Sequence, residues 1–192
     1  MSSTKVSVAA TALVLVGLNP ISSFEDDSTE ADTARNIYDE IVEGCLSERA
    51  WRFATTLKTL NRLTATPVSE WDAAYELPKD PPVLRILRLS VDEQAIRFDR
   101  YANRVLCNAG ENDSVVLEYG YRADESEWPP YFRKYVTETL AAYFASAIMR
   151  NPDLIREHMK MAAFEQTNAY TADSQGRTQQ VKRPRQIVKR RR

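Results

Sequence analysis

The side chains able to do bond chemistry are few and widely spaced. His158 is the single histidine, and no cysteine or second histidine lies near it in sequence, so neither a metal site nor a histidine-dependent triad finds support. It falls mid-helix and reads as a partly exposed helix residue. Cys45 and Cys107 each sit in an apolar run, too far apart for a metal knuckle or a disulfide framework, and read as buried free thiols of a reducing compartment. Carboxylates cluster at Glu25-Asp26-Asp27 and at Asp124-Glu125-Glu127, in turns beside helix starts, where solvated or capping residues are expected rather than a general acid–base pair. There is no dinucleotide, P-loop or nucleophile-elbow pattern, and five glycines give little material for a phosphate-cradling loop. The sequence therefore predicts a protein that is not an enzyme and needs no cofactor or metal.

Charge is the feature that stands out. The last sixteen residues carry Arg177, Lys182, Arg183, Arg185, Lys189, Arg190, Arg191 and Arg192, and no Asp or Glu. The chain holds 26 basic and 27 acidic residues, so removing these eight cations leaves 18 against 27: a body of charge −9 carrying a tail of +8. With Val181, Ile187 and Val188 as its larger apolar groups, the tail cannot bury enough surface to offset the entropy of ordering, and it is expected to order on an anionic partner. Fully extended, it would reach up to about 50 Å.

The elements that must position these groups follow from the apolar spacing. At 192 residues and 43% apolar content, the chain is long enough for one globular domain with its own core. A first helix is expected over about 3–16, closed by Gly17 with Pro20 beyond; its nearly continuous apolar character predicts a helix enclosed by others. Lys5 and Val6 to Leu18 also imitate a secretory signal, but no small-x-small cleavage site follows and the run is too short to cross a bilayer. A second helix, about 28–49, has Ala31, Ala34, Ile37, Tyr38, Ile41, Val42, Cys45 and Leu46 at helical spacing, opened by an Asp27/Glu30 variant of the capping box. From about 51 to 122 the period changes, with strands expected at Trp51–Leu63, Val83–Val91, Ala95–Arg100, Asn103–Cys107 and Val115–Arg122. Helices return at about 130–150, opened by Pro129-Pro130, and 152–173, opened by Asn151-Pro152-Asp153. The expected fold is α+β: a four-helix bundle with a β-rich lobe inserted between helices 2 and 3, forming one domain over 1–176, followed by an extended basic C-terminal arm over 177–192.

Trp51, Phe53, Trp71, Tyr75, Phe98, Tyr101, Tyr119 and Tyr121 fall in the β-rich stretch among Arg85, Arg88, Arg97, Arg100 and Arg104. A sheet could offer such rings to unpaired bases. No RNA-recognition aromatic motif is present, and packing anchors of a small sheet are the expected reading.

Taken in order, several segments resemble the tail tubular protein A family, the head-to-tail adaptors of short-tailed bacteriophages. They are Ala12-Leu13-Val14-Leu15-Val16-Gly17-Leu18-Asn19-Pro20-Ile21; Trp51-Arg52-Phe53-Ala54 after the second helix; Trp71-Asp72-Ala73-Ala74-Tyr75-Glu76-Leu77-Pro78-Lys79-Asp80 followed by Val83 to Leu89; Val116-Leu117-Glu118-Tyr119; and Trp128-Pro129-Pro130-Tyr131-Phe132 with Leu140-Ala141 beyond. Pro81-Pro82 departs from the family pattern, and the basic arm has no residue-by-residue counterpart in it. The resemblance spans about Val6 to Ala172. It implies a structural virion protein of the neck and tail, made in the bacterial host cytoplasm. Its copies would form a ring, with twelve the expected number, between the portal protein and a tail nozzle resembling tail tubular protein B. Double-stranded DNA would pass through the centre and no membrane would be involved. An acidic body suits a conduit in which DNA slides. The eight arm cations are then expected to grip an acidic groove of the portal or of a neighbouring subunit. The alternative is a nucleic-acid-binding protein using those cations on phosphates; a localisation signal at Lys182-Arg183-Pro184-Arg185 and a secreted enzyme are further alternatives.

Overall fold

The computed structural model describes residues 3–65, 67 and 70–176. Helix α1, Lys5–Leu15, opens on a reciprocal cap in which Thr4 Oγ1 accepts from the Ser7 N–H at 3.2 Å and Ser7 Oγ accepts from the Thr4 N–H at 2.9 Å. It closes where Gly17 takes φ +80, with the Leu18 N–H reaching the Leu13 carbonyl at 3.0 Å and the Gly17 N–H reaching Val14. That is the left-handed closure a glycine permits. Helix α2, Thr29–Ser47, is capped by Ser28 rather than Asp27, because the Ser28 hydroxyl reaches the Ala31 N–H. Helix α3, Pro130–Phe144, runs into a π-helical turn, Ala145–Met149, ended by Arg150 at φ +50. Helix α4, Pro152–Gln175, starts on Asn151, whose side-chain oxygen accepts from the Asp153 and Leu154 N–H groups.

Among the described residues seven strands make two antiparallel sheets: β1 Thr55–Thr59, β7 Val115–Tyr121, β3 Val83–Val91 and β4 Gln94–Ala95 in one, in that order, and β2 Ala73–Glu76, β6 Arg104–Cys107 and β5 Phe98–Tyr101 in the other. The stretch expected as one strand over Ala95–Arg100 divides between the sheets. Asp92 and Glu93, both at positive φ, turn β3 into β4 in a two-residue hairpin, and the chain then crosses to β5. The long strand expected from Trp51 becomes a 3-10 turn, Arg52–Ala54, and the short β1. The sheets share one core, with Val115, Leu117 and Tyr119 of β7 and Leu89 of β3 against Ala73, Tyr75, Val105 and Cys107.

A four-helix bundle with an inserted β lobe is not what forms. Helix α3 is the hub: α1, α2 and α4 each pack on it, and α4 meets α2 at that helix's end, through Glu48 and Arg49. The reason lies in α4's buried stripe of His158, Ala162, Glu165, Ala169 and Asp173, which is small and polar and can cover one neighbour, not two. Nor are the strands a separate lobe. Ala54 is buried in the helical core, and Phe53, Leu84 and Tyr121 pack against it, so the first sheet is continuous with the helices. Helix α1 is not enclosed either: Val8, Ala9, Ala12 and Leu13 are buried, while Val14 and Leu15 are 55% and 44% exposed.

Both thiols are buried as expected, and burial pushes each from an ordinary 9.0 up to about 11. Burial, followed by a neighbouring carboxylate, likewise lifts Tyr131 and Tyr170 from 10.0 to about 12. Above its ordinary value each group ionises in the unfolded chain while the folded protein still holds the proton, so the unfolded state is favoured as pH rises through that window. The urea midpoint is therefore expected to be lower at about pH 10.5 than at about pH 8; an unchanged midpoint would contradict these burials.

Candidate interaction surface

Where α2 ends, Trp51 turns inward. It is 1% exposed, donates from Nε1 to the Cys45 carbonyl at 2.9 Å, and lies edge-on to Phe132 with ring centres 4.8 Å apart. With Trp51 fixed, its charged neighbours flank it on the surface. Arg49 lies over the Tyr170 ring at 4.8 Å and donates to the Tyr170 carbonyl and to Ser174 Oγ near the end of α4. Arg85, on β3, donates to the Ser47 and Glu48 carbonyls at the end of α2. Cations at helix C-termini complement the partial negative charge there.

Between these helix ends and the outer face of the first sheet lies a groove of about 1140 Å³. Arg49, Arg52, Arg85 and Arg88 line it, with Leu57, Leu87 and Glu118 on the sheet side. Gly120 pairs with Thr55 on one side and Arg85 on the other, which leaves the sheet without a side chain at that point. Two of the groove's carboxylates are engaged by the protein itself. Glu48 Oε2 accepts from the Tyr135 hydroxyl at 2.8 Å, Gln166 Nε2 at 2.8 Å and the Tyr170 hydroxyl at 3.0 Å. Asp173 Oδ1 accepts from the Arg52 N–H at 3.2 Å and the Tyr131 hydroxyl at 3.1 Å. Gly176, to which the basic arm is joined, lies against Arg52: a Cβ there would overlap the guanidinium. The arm residues Arg177, Lys182, Arg183, Arg185, Lys189, Arg190, Arg191 and Arg192 lie outside the described residues.

Of the aromatic residues weighed as base platforms, Trp51, Tyr75 and Tyr119 are fully buried, and Trp71 is 9% exposed with Nε1 donating to Asp99 Oδ2 at 3.0 Å. Tyr101 is the one large exposed ring among them. The packing reading describes most of this set, and Trp51 belongs to the helices rather than to a sheet.

Two polar residues differ from their expected settings. His158 is 9% exposed rather than part-way out, with Nδ1 2.9 Å from Glu138 Oε2 across the α3–α4 seam. Glu125 is buried, not a solvated turn carboxylate: its Oε1 accepts from Arg122 Nη2 at 2.6 Å and from the Tyr38 hydroxyl at 3.2 Å. Asp26 accepts from the Ser22 and Ser23 N–H groups of the loop before α2, while the helix itself is capped by Ser28. Among the described residues there is no His, Cys, Asp and Glu cluster suited to a metal ion and no helix long and apolar enough to cross a membrane.

Apolar side chains are also uncovered on the helices, at Val14 and Leu15 of α1 and at Met159, Met161 and Phe164 of α4, the last 59% exposed. The molecule is thus an α+β protein with a charged groove and exposed apolar side chains on two helices. Compared with known protein families and with curated sequences, the chain matches no family model and no individual protein.

Sequence reasoning missed the groove. Glu48-Arg49-Ala50-Trp51-Arg52 carried one signal that could have pointed to it: charges placed on both sides of a tryptophan that has to be buried.

Proposed function

We propose that this chain is a head-to-tail adaptor of a short-tailed bacteriophage: a structural virion protein whose copies form a ring between portal and tail nozzle, with the basic arm fastening each copy to the portal or to its neighbour. The observation that carries the proposal is the ordered set of segments, from Ala12–Ile21 through Trp128–Phe132, resembling the tail tubular protein A family. Charge segregation supports it, since a body of −9 holds duplex DNA weakly while a +8 arm has an acidic protein surface to seek. The uncovered apolar residues of α1 and α4 suit a protein that works among copies and partners.

Deleting Arg177 to Arg192 is expected to leave a folded body that no longer joins portal-containing heads, read by assembly of infectious particles in complementation. Particles completed at the normal rate would remove the arm's role. A second reading, in which the eight cations bind phosphates, predicts a log-affinity against log-salt slope of about −7 for duplex DNA. No duplex binding at moderate salt would exclude it.

A further inference from the structure

We propose that the outer face of α2 is a docking surface for the chain's own basic arm, residues 177–192, which lies along it in the free protein. The inference stands on charge and reach and does not depend on the adaptor reading.

Residues 25–43 hold eight Asp or Glu and one cation, Arg35, so this stretch carries −7 of the body's −9. Three of the acids are engaged within the body. Asp26 takes two loop N–H groups, Asp32 pairs with Arg35 at 3.2 Å, and Asp39 pairs with Lys5 at 2.7 Å and with Arg122 at 3.8 Å. Among the described residues Glu25, Asp27, Glu30, Glu40 and Glu43 have no cation within ion-pair distance.

By helical spacing Asp32, Asp39, Glu40 and Glu43 fall on the side of α2 turned away from its buried stripe, and all four are exposed. The helix gains nothing from this arrangement. Asp39 and Glu43 are four residues apart and Glu40 and Glu43 three, spacings at which like charges repel. Glu43 also stands about a turn from the C-terminal end, where the helix dipole disfavours an acid, and no basic residue occupies the last turn to offset it. Acids set against their own helix in this way are placed for a cationic partner.

The arm is that partner by charge, by place and by length. It holds eight cations and no acid. It leaves the body beside the end of α2: Arg49, two residues past that helix, donates to Ser174 Oγ at 3.3 Å, and Gly176 lies against Arg52. With 19 residues α2 is about 28 Å long, whereas sixteen extended residues reach up to about 50 Å, enough to round the helix end and follow the acidic side. A tether this short gives the arm an effective concentration in the millimolar range, above that of a second copy in dilute solution. A nucleic acid is repelled by this face, and among the described residues no carboxylates are grouped to hold a metal ion; acids spread over several turns suit a row of cations.

The test uses the full chain carrying Gln186→Cys with a nitroxide on the new thiol, since Cys45 and Cys107 are buried and resist the reagent. Paramagnetic broadening of isotope-labelled amides is expected to be strongest over α2, at Asn36, Glu40 and Glu43, and weak over β5. Salt at about 1 M, where the screening length is about 3 Å, is expected to remove the difference. Glu40→Gln combined with Glu43→Gln is expected to lower the bound-to-free ratio about two- to fivefold, with the fold unchanged in the same spectra. Chains with the nitroxide but no isotope, mixed with isotope-labelled chains lacking the nitroxide, are expected to show no broadening, because each arm sits on its own helix. Broadening spread evenly over the body, centred away from α2, or unchanged in the double Gln variant would overturn the proposal. So would equal broadening of α2 in the mixed sample, since the arm would then occupy a second copy.

Discussion

Replacing Trp51 with alanine is expected to cost about 3–5 kcal/mol, a large share of the stability of a single domain. The indole is 1% exposed and touches parts of the chain that are otherwise far apart: Phe132 and Tyr135 of α3 at 4.8 and 6.4 Å, Tyr170 of α4 at 5.4 Å, and the Cys45 carbonyl of α2 through Nε1. Removing it opens a cavity where three helices meet and leaves that carbonyl unpaired. In a chain of this size the melting temperature should fall by on the order of 10 °C, measured by circular dichroism. Trp51→Phe keeps much of the volume and loses the hydrogen bond, so a smaller fall is expected. A drop no larger than that of an exposed substitution such as Phe164→Ser would show that Trp51 is not the anchor described.

The second large effect is expected at Glu125. Glu125→Ala strips the close carboxylate from Arg122, whose side chain is 19% exposed and keeps Asp39 at 3.8 Å and the Ala123 carbonyl, and strips the acceptor from the Tyr38 hydroxyl, whose ring lies in the core at 0% exposure. Burial, followed by the nearby Glu125 charge, holds the Tyr38 phenol well above its ordinary range, so it stays a neutral donor and needs an acceptor. Leaving a buried donor without an acceptor and a part-buried cation with only its longer ion pair should cost about 2–3 kcal/mol in urea unfolding. Glu125→Gln retains an acceptor oxygen for Tyr38 and gives up only the charge, so it should lose less. Equal losses for the two variants would mean that the carboxylate acts through its volume rather than through these bonds.

Much of the helical framework was legible in the sequence because its signals lie within one turn of each other. Asn151-Pro152 and Pro129-Pro130 mark two helix starts, and Gly17 marks a helix end, through bonds spanning at most five residues. Where two candidate caps stood side by side, as at Asp27 and Ser28, spacing alone chose the wrong one by a residue. Strand β2 was not legible as a strand. Ala73-Ala74-Tyr75-Glu76 has no β-branched residue, and it is extended because β6 pairs with all four of its residues from about thirty positions along the chain. The groove was illegible for the same reason: Arg52, Arg88 and Asp173 are brought together by contacts that no local period encodes.

By itself, the amino-acid order determined the helices and their caps, the mixed class, the buried thiols and the division of charge between body and arm, since each follows from composition or from residues within a few positions. The tertiary structure decided that α3 is the hub, that α1 and α4 keep apolar side chains at the surface, that Trp51 serves the helices, and that Glu125 and His158 are enclosed. Those outcomes depend on partners distant in sequence; Tyr38 and Glu125 are separated by 87 positions. A polar side chain is buried or solvated according to whether such a partner arrives to satisfy it, and only the folded chain supplies one.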